Sequence, residues 1–74
     1  MFPPIVACEV FSVVKWYDQE EPTISAVLYE CHSLSEAVAI KRAELVGFKY
    51  LRDGGMCEHF TLSVRAVRAG ELEF

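Results

Sequence analysis

The sequence predicts an α+β fold: a three- to four-stranded, mostly antiparallel sheet in β-β-α-β order, with one helix packed on one face. Three observations predict it. Residues 33–51 (SLSEAVAIKRAELVGFKYL) are the one stretch with helical periodicity and a start signal. The segments on either side are rich in β-branched and aromatic residues that alternate with period two. A polar connection of hairpin length joins the first two strands, and one hydrophobic face of the resulting sheet needs a cover. The 74 residues read as a single small domain, 1–74.

Pro3 and Pro4 hold the start of the chain extended. Residues 5–17 then read as a strand. Val6, Cys8, Val10, Val14 and Trp16 share a parity broken only by Ser12, and are assigned to the core. Glu9, Phe11, Val13, Lys15 and Tyr17 are left for the outer face. Residues 18–22 (DQEEP) form the connection, and Pro22, lacking an N–H, ends pairing there. Residues 23–32 are a second strand whose two faces are both apolar. Ile24, Ala26 and Leu28 are assigned inward, which turns Val27, Tyr29 and Cys31 outward.

Ser33 and Glu36 fit a capping box, and alanine, glutamate and leucine favour the helix that follows. Leu34, Ala37, Val38, Leu45 and Phe48 fall on one side at about 100° per residue, with Lys41 in the same stripe. Ala39, Ala43, Val46 and Tyr50 make a second, weaker apolar stripe. Gly47 is the expected C-cap, which would leave Phe48 in a short extended piece, the candidate fourth strand. Asp53-Gly54-Gly55 is a turn. Residues 57–69 are the most regular strand: Phe60, Leu62, Val64 and Ala66 alternate with His59, Thr61, Ser63 and Arg65. Residues 70–74 are expected to be a frayed tail.

Composition excludes several function classes. A net charge of −4 argues against broad binding to nucleic acid or anionic lipid, which needs basic surface. No apolar run approaches the ~20 residues that span a bilayer, and no signal peptide is expected, so a cytoplasmic location is expected. Cys8, Cys31 and Cys57 are too few and too unevenly spaced for a disulfide framework, and read as free buried thiols. Hydrophobic residues make up 53% of the chain and mean hydropathy is +0.23. A domain this small buries only about 60% of its unfolded surface, so some of that apolar content must stay outside the core, where it marks a contact surface.

Each candidate chemistry has a more ordinary competitor. Cys31, Cys57 and His59 supply zinc-type ligands, but without a Cys-x-x-Cys knuckle they read first as core cysteines and a surface histidine. A cysteine–histidine nucleophile needs an electropositive cleft that so small a chain seldom builds, so no catalytic residue and no cofactor is expected. Lys41, Arg42, Lys49 and Arg52, interleaved with Phe48 and Tyr50, could track a single strand of nucleic acid, but a solvated helix face accounts for them as well. Asp18, Glu20 and Glu21 at the hairpin tip could engage a basic groove on a partner. Phe11, Val13, Tyr17, Val27 and Tyr29 are expected to form an aromatic patch on the sheet face opposite the helix, the main candidate for a partner surface.

The β-β-α-β layout with Ser33-Leu34-Ser35-Glu36-Ala37 opening the helix resembles several small phage-encoded inhibitors, anti-CRISPR proteins among them, over about the middle third of the chain. The resemblance implies a small viral inhibitor and transfers no site residues. The expected function is therefore non-catalytic protein binding: an inhibitor or adaptor occupying a surface of a larger protein or complex. The competing readings are a homodimeric structural domain, a nucleic-acid-binding module and a zinc module.

Overall fold

A long central strand, β1 (Ile5–Trp16), pairs antiparallel on both sides, with β2 (Thr23–Glu30) and with β3 (Cys57–Arg68), giving the sheet order β2-β1-β3. One helix, α1 (Leu34–Asp53), lies across the sheet. The coordinates are a computed structural model and describe residues 3–71. The predicted α+β class and β-β-α-β order are observed, with three strands.

Register decides which residues share a face. Cys8, Val10, Ser12 and Val14 oppose Tyr29, Val27, Ser25 and Thr23 of β2, and Ala66, Val64, Leu62 and Phe60 of β3. This is the helix side. Buried Ile5, Cys8, Val10, Cys31 and Ala37 form its core, with Ile40, Leu62, Val64 and Ala66 packed against them. The core parity predicted for the last strand holds, and that for the first holds from Cys8 to Val14; at its start the slip at Val6 puts Ile5 in the core in place of Val6. The parity predicted for the second does not hold: Ile24, Ala26 and Leu28 oppose Val13, Phe11 and Glu9 on the other, open face. Two register slips interrupt the pairing with β3, leaving Val6 as an extra residue on β1 and Glu58 as one on β3.

Ser33 begins α1 as expected. Its backbone is extended, and its Oγ accepts the Glu36 N–H at 3.1 Å. Glu36 reaches back to accept the His32 N–H at 2.9 Å. The helix does not stop at Gly47. It runs to Asp53, and Gly54 and Gly55 end it. The Gly55 N–H donates to the Arg52 carbonyl and the Met56 N–H to that of Leu51, with Gly55 at φ +79°: a Schellman stop that turns the chain into β3. Phe48 is therefore helical, and no fourth strand forms near it. Its ring stacks on Phe60 at 5.3 Å. The sheet-facing stripe is also rotated from the predicted one. Ala37 and Ile40 meet the core, while Leu34 and Val38 remain 61% and 48% exposed.

Past β3, Glu71 accepts from the Arg65 guanidinium at 2.6 Å and from the Arg68 N–H at 3.1 Å. The expected fraying does not apply to this residue, and residues 72–74 lie outside the described ones. No described helix is long and apolar enough to cross a membrane.

Candidate functional site

α1 covers the sheet unevenly. It packs on β3 and touches β1, but among the described residues its backbone stays more than 8 Å, Cα to Cα, from β2. β2 is therefore an edge strand that lacks a helix above it. It is apolar on both sides all the same: Ile24 and Leu28 on the open face are 66% and 51% exposed, and Val27 and Tyr29 on the helix side 42% and 38%. The Tyr29 hydroxyl donates to Glu44 Oε1 of α1 at 2.9 Å, which raises the Tyr29 pKa above its ordinary value.

This placement redraws the expected patch. Phe11 and Val13 lie on the open face, beside Ala26 and Ile24. Val27 and Tyr29 lie on the helix side, so the five residues do not form one surface. Tyr17 stands beyond the end of β1, exposed, at a shallow cavity of about 310 Å³ shared with Trp16, Asp18, Gly55 and Met56. Ile24, Ala26 and Leu28 replace Val27 and Tyr29 on the open face. The open face is itself divided. Over β1 and β2 it is apolar at Val13–Ile24 and Phe11–Ala26, with Leu28 opposite Glu9, whereas over β1 and β3 Glu9 opposes Arg65 and Lys15 opposes His59.

The hairpin tip is ordered by its own backbone and side chains. Lys15 Nζ donates to the carbonyls of Trp16, at 2.8 Å, and Gln19, and Trp16 Nε1 donates to Thr23 Oγ1 at 3.0 Å. Asp18, Glu20 and Glu21 project from it, all exposed. They belong to a wider asymmetry. From Trp16 to Ile40 the chain carries five carboxylates (Asp18, Glu20, Glu21, Glu30 and Glu36) and neither lysine nor arginine. Lys41, Arg42, Lys49, Arg52, Arg65 and Arg68 all follow, against Glu44, Asp53, Glu58, Glu71 and Glu73. The β2 margin is thus predominantly acidic, with Lys15 the cation at its hairpin tip. His32 is its one imidazole, with Nε2 3.0 Å from Glu30 Oε1, and that hydrogen bond raises its pKa.

The register pairs Cys57 with Trp16 but His59 with Lys15, so the extra residue Glu58 puts these two potential ligands on opposite faces. Cys31 sits at the other end of the sheet, beside Cys8, and no group of three or more metal-type ligands occurs among the described residues. All three thiols are free and fully buried, and burial together with the neighbouring Cys31 pushes the Cys8 thiol up, which suppresses nucleophilicity. The basic stripe on α1 is interrupted, because Phe48 is stacked on Phe60 and the Arg52 guanidinium lies 5.4 Å from the same ring. Comparison with models of protein families, with curated proteins and with solved structures finds no match to this chain.

Proposed function

We propose that this chain is a non-catalytic protein-binding module, a small inhibitor or adaptor that occupies a surface of a larger partner, as phage-encoded inhibitors such as anti-CRISPR proteins do. The observation that carries the reading is β2: an edge strand with exposed apolar side chains on both faces and no helix over it. Edge strands left in this state pair with other chains unless they are blunted, and apolar area this contiguous marks a contact surface. The sealed thiols, and a His32 ring turned to Glu30, favour binding over nucleophilic chemistry.

The test combines mass with position. Light scattering of the purified chain should give the monomer mass of 8.4 kDa. A photo-crosslinking residue at Leu28 should then join the chain to one defined larger protein in native extract. The same residue at Lys49, on the exposed helix surface, should not, and Ile24→Lys should remove the Leu28 product. A dimer whose Leu28 crosslinks only to a second copy would overturn the reading in favour of the homodimeric domain.

A further inference from the structure

We infer that the partner presents an extended strand flanked by lysine or arginine, and that this strand adds to the outer edge of β2 as a fourth strand of the sheet. The inference rests on β2 being the protein-binding edge and adds the chemistry of what binds there.

The backbone of β2 is the first reason. It pairs only with β1, in unbroken register from Thr23 to Glu30, so its outward N–H and C=O groups have no strand to meet among the described residues. None of the usual defences of an edge is present within it: no proline, no lysine, no bulge, and no charge before Glu30. An added strand would find apolar neighbours on both sides, Ile24, Ala26 and Leu28 on one and Val27 and Tyr29 on the other. On the helix side the backbone of α1 stays more than 8 Å, Cα to Cα, from β2, and Tyr29 is held to it by the hydrogen bond to Glu44.

Charge selects the occupant. Both ends of β2 are acidic, with Asp18, Glu20 and Glu21 before it and Glu30 and Glu36 after it. A second copy pairing antiparallel on this edge would set the carboxylates of its hairpin tip beside Glu30 of the first, at both ends of the interface. Like charges at close range select against a partner, and opposite ones steer encounter. A strand with cations at both ends meets the same margin favourably.

The probes are three synthetic ten-residue peptides with one alternating valine–threonine core. One has two lysines at each end, one has two glutamates, and one is the lysine form N-methylated on two adjacent central residues, which blocks hydrogen bonding along both edges. Each is titrated into the full chain by NMR at about 20 and 200 mM salt. The lysine peptide should bind at least ~10-fold tighter than the glutamate peptide at low salt, with the gap narrowing at high salt. Shifts and new amide protection should centre on Thr23–Glu30, and N-methylation should cost at least ~10-fold. Asp18→Lys, Glu20→Lys and Glu21→Lys together, all at exposed positions, should narrow or invert the preference. Equal binding of the two charged forms, indifference to N-methylation, shifts centred away from β2, or no binding by the lysine peptide would each overturn the inference. A partner that crosslinks at Leu28 with salt-insensitive affinity would overturn it while leaving the protein-binding reading in place.

Discussion

β2 and β3 both border the same sheet and both pair with β1, yet the chain finishes them differently. β3 lies under α1, with Phe60 stacked on Phe48 and Leu62, Val64 and Ala66 packed in or against the core. Its other face carries His59 and Arg65, the latter 3.7 Å from Glu9 and bonded to Glu71, and Glu58 bulges from its start. Those are the devices that keep an edge from pairing further. β2 has none of them and no helix above it. Packing against the helix is concentrated on the β3 side, while the β2 side holds exposed apolar surface. An open edge next to a closed one is the feature that the proposed binding role would use.

The largest expected effect tests that division directly. Phe60 and Val27 face the same side of the sheet, one under the helix and one beside it. Phe60→Ala removes a ring that stacks on Phe48 and lies 5.4 Å from the Arg52 guanidinium, and should cost about 3 kcal/mol, a large share of the stability of a chain this small. Val27→Ala should change stability by about 0.5 kcal/mol or less. Urea unfolding followed by circular dichroism reads both. Equal losses would mean that β2 is as much a part of the core as β3, and the contrast between the edges would fail.

The parts of the fold that were legible in the sequence are those where burial differs sharply across an element. β1 and β3 alternate between core and solvent, so their parity could be read. Ser33 and Glu36 named the helix start because capping is local chemistry. β2 was misread for the reason that makes it a candidate site: with neither face covered, no gradient of hydrophobicity fixes its phase. A signal existed in Ser12, the one polar interruption of the core parity on β1. Its cross-strand neighbour is Ser25, and matching the two serines would have placed Val27 and Tyr29 on the helix side. The Glu58 bulge, which separates Cys57 from His59, left no comparable mark. Gly47 misled because glycine is a common helix stop. Here the Phe48–Phe60 stack is gained only if the helix continues, and Gly54-Gly55 offers a complete stop two turns later.

That pair of glycines gives the second comparison. Gly55 sits at φ +79° where α1 turns into β3, a conformation that costs a residue with a Cβ about 1–2 kcal/mol. Gly47 lies in the helix interior, on the flank that lines a cavity of about 300 Å³ with Ala43, Glu44, Phe48 and Leu51, and an added Cβ there meets nothing within 4 Å. Gly55→Ala should therefore lower the unfolding free energy by roughly 1–2 kcal/mol and Gly47→Ala raise it by roughly 0.5–1 kcal/mol. Opposite signs in thermal or urea melts support an empty flank beside β2. A loss at Gly47 would mean that the flank is already packed.

The smallest effect lies at the end of β2. Glu30 holds the His32 ring by a hydrogen bond, which is the main cause raising its pKa above the ordinary 6.5. The charges of Glu30 and of Glu36 on α1 and a backbone contact with Ile5 of β1 add to it, and partial desolvation opposes it. A histidine whose pKa is raised on folding contributes stability that is complete below its unfolded value. That contribution is lost as pH rises through the folded one. At so exposed a site the change in stability should be slight, so the sensitive measurement is the NMR titration of the ring itself. His32 should titrate above 6.5, and Glu30→Gln should bring it down toward that value. Protonation also places a cation in the acidic margin of β2. Binding of the lysine-flanked peptide should consequently weaken as pH falls through this pKa, and His32→Asn should remove that step. A His32 that titrates at or below 6.5, or peptide binding that is flat across the same range, would show that the acidic margin does not extend to this end of the strand. The charge selection would then rest on the hairpin tip alone.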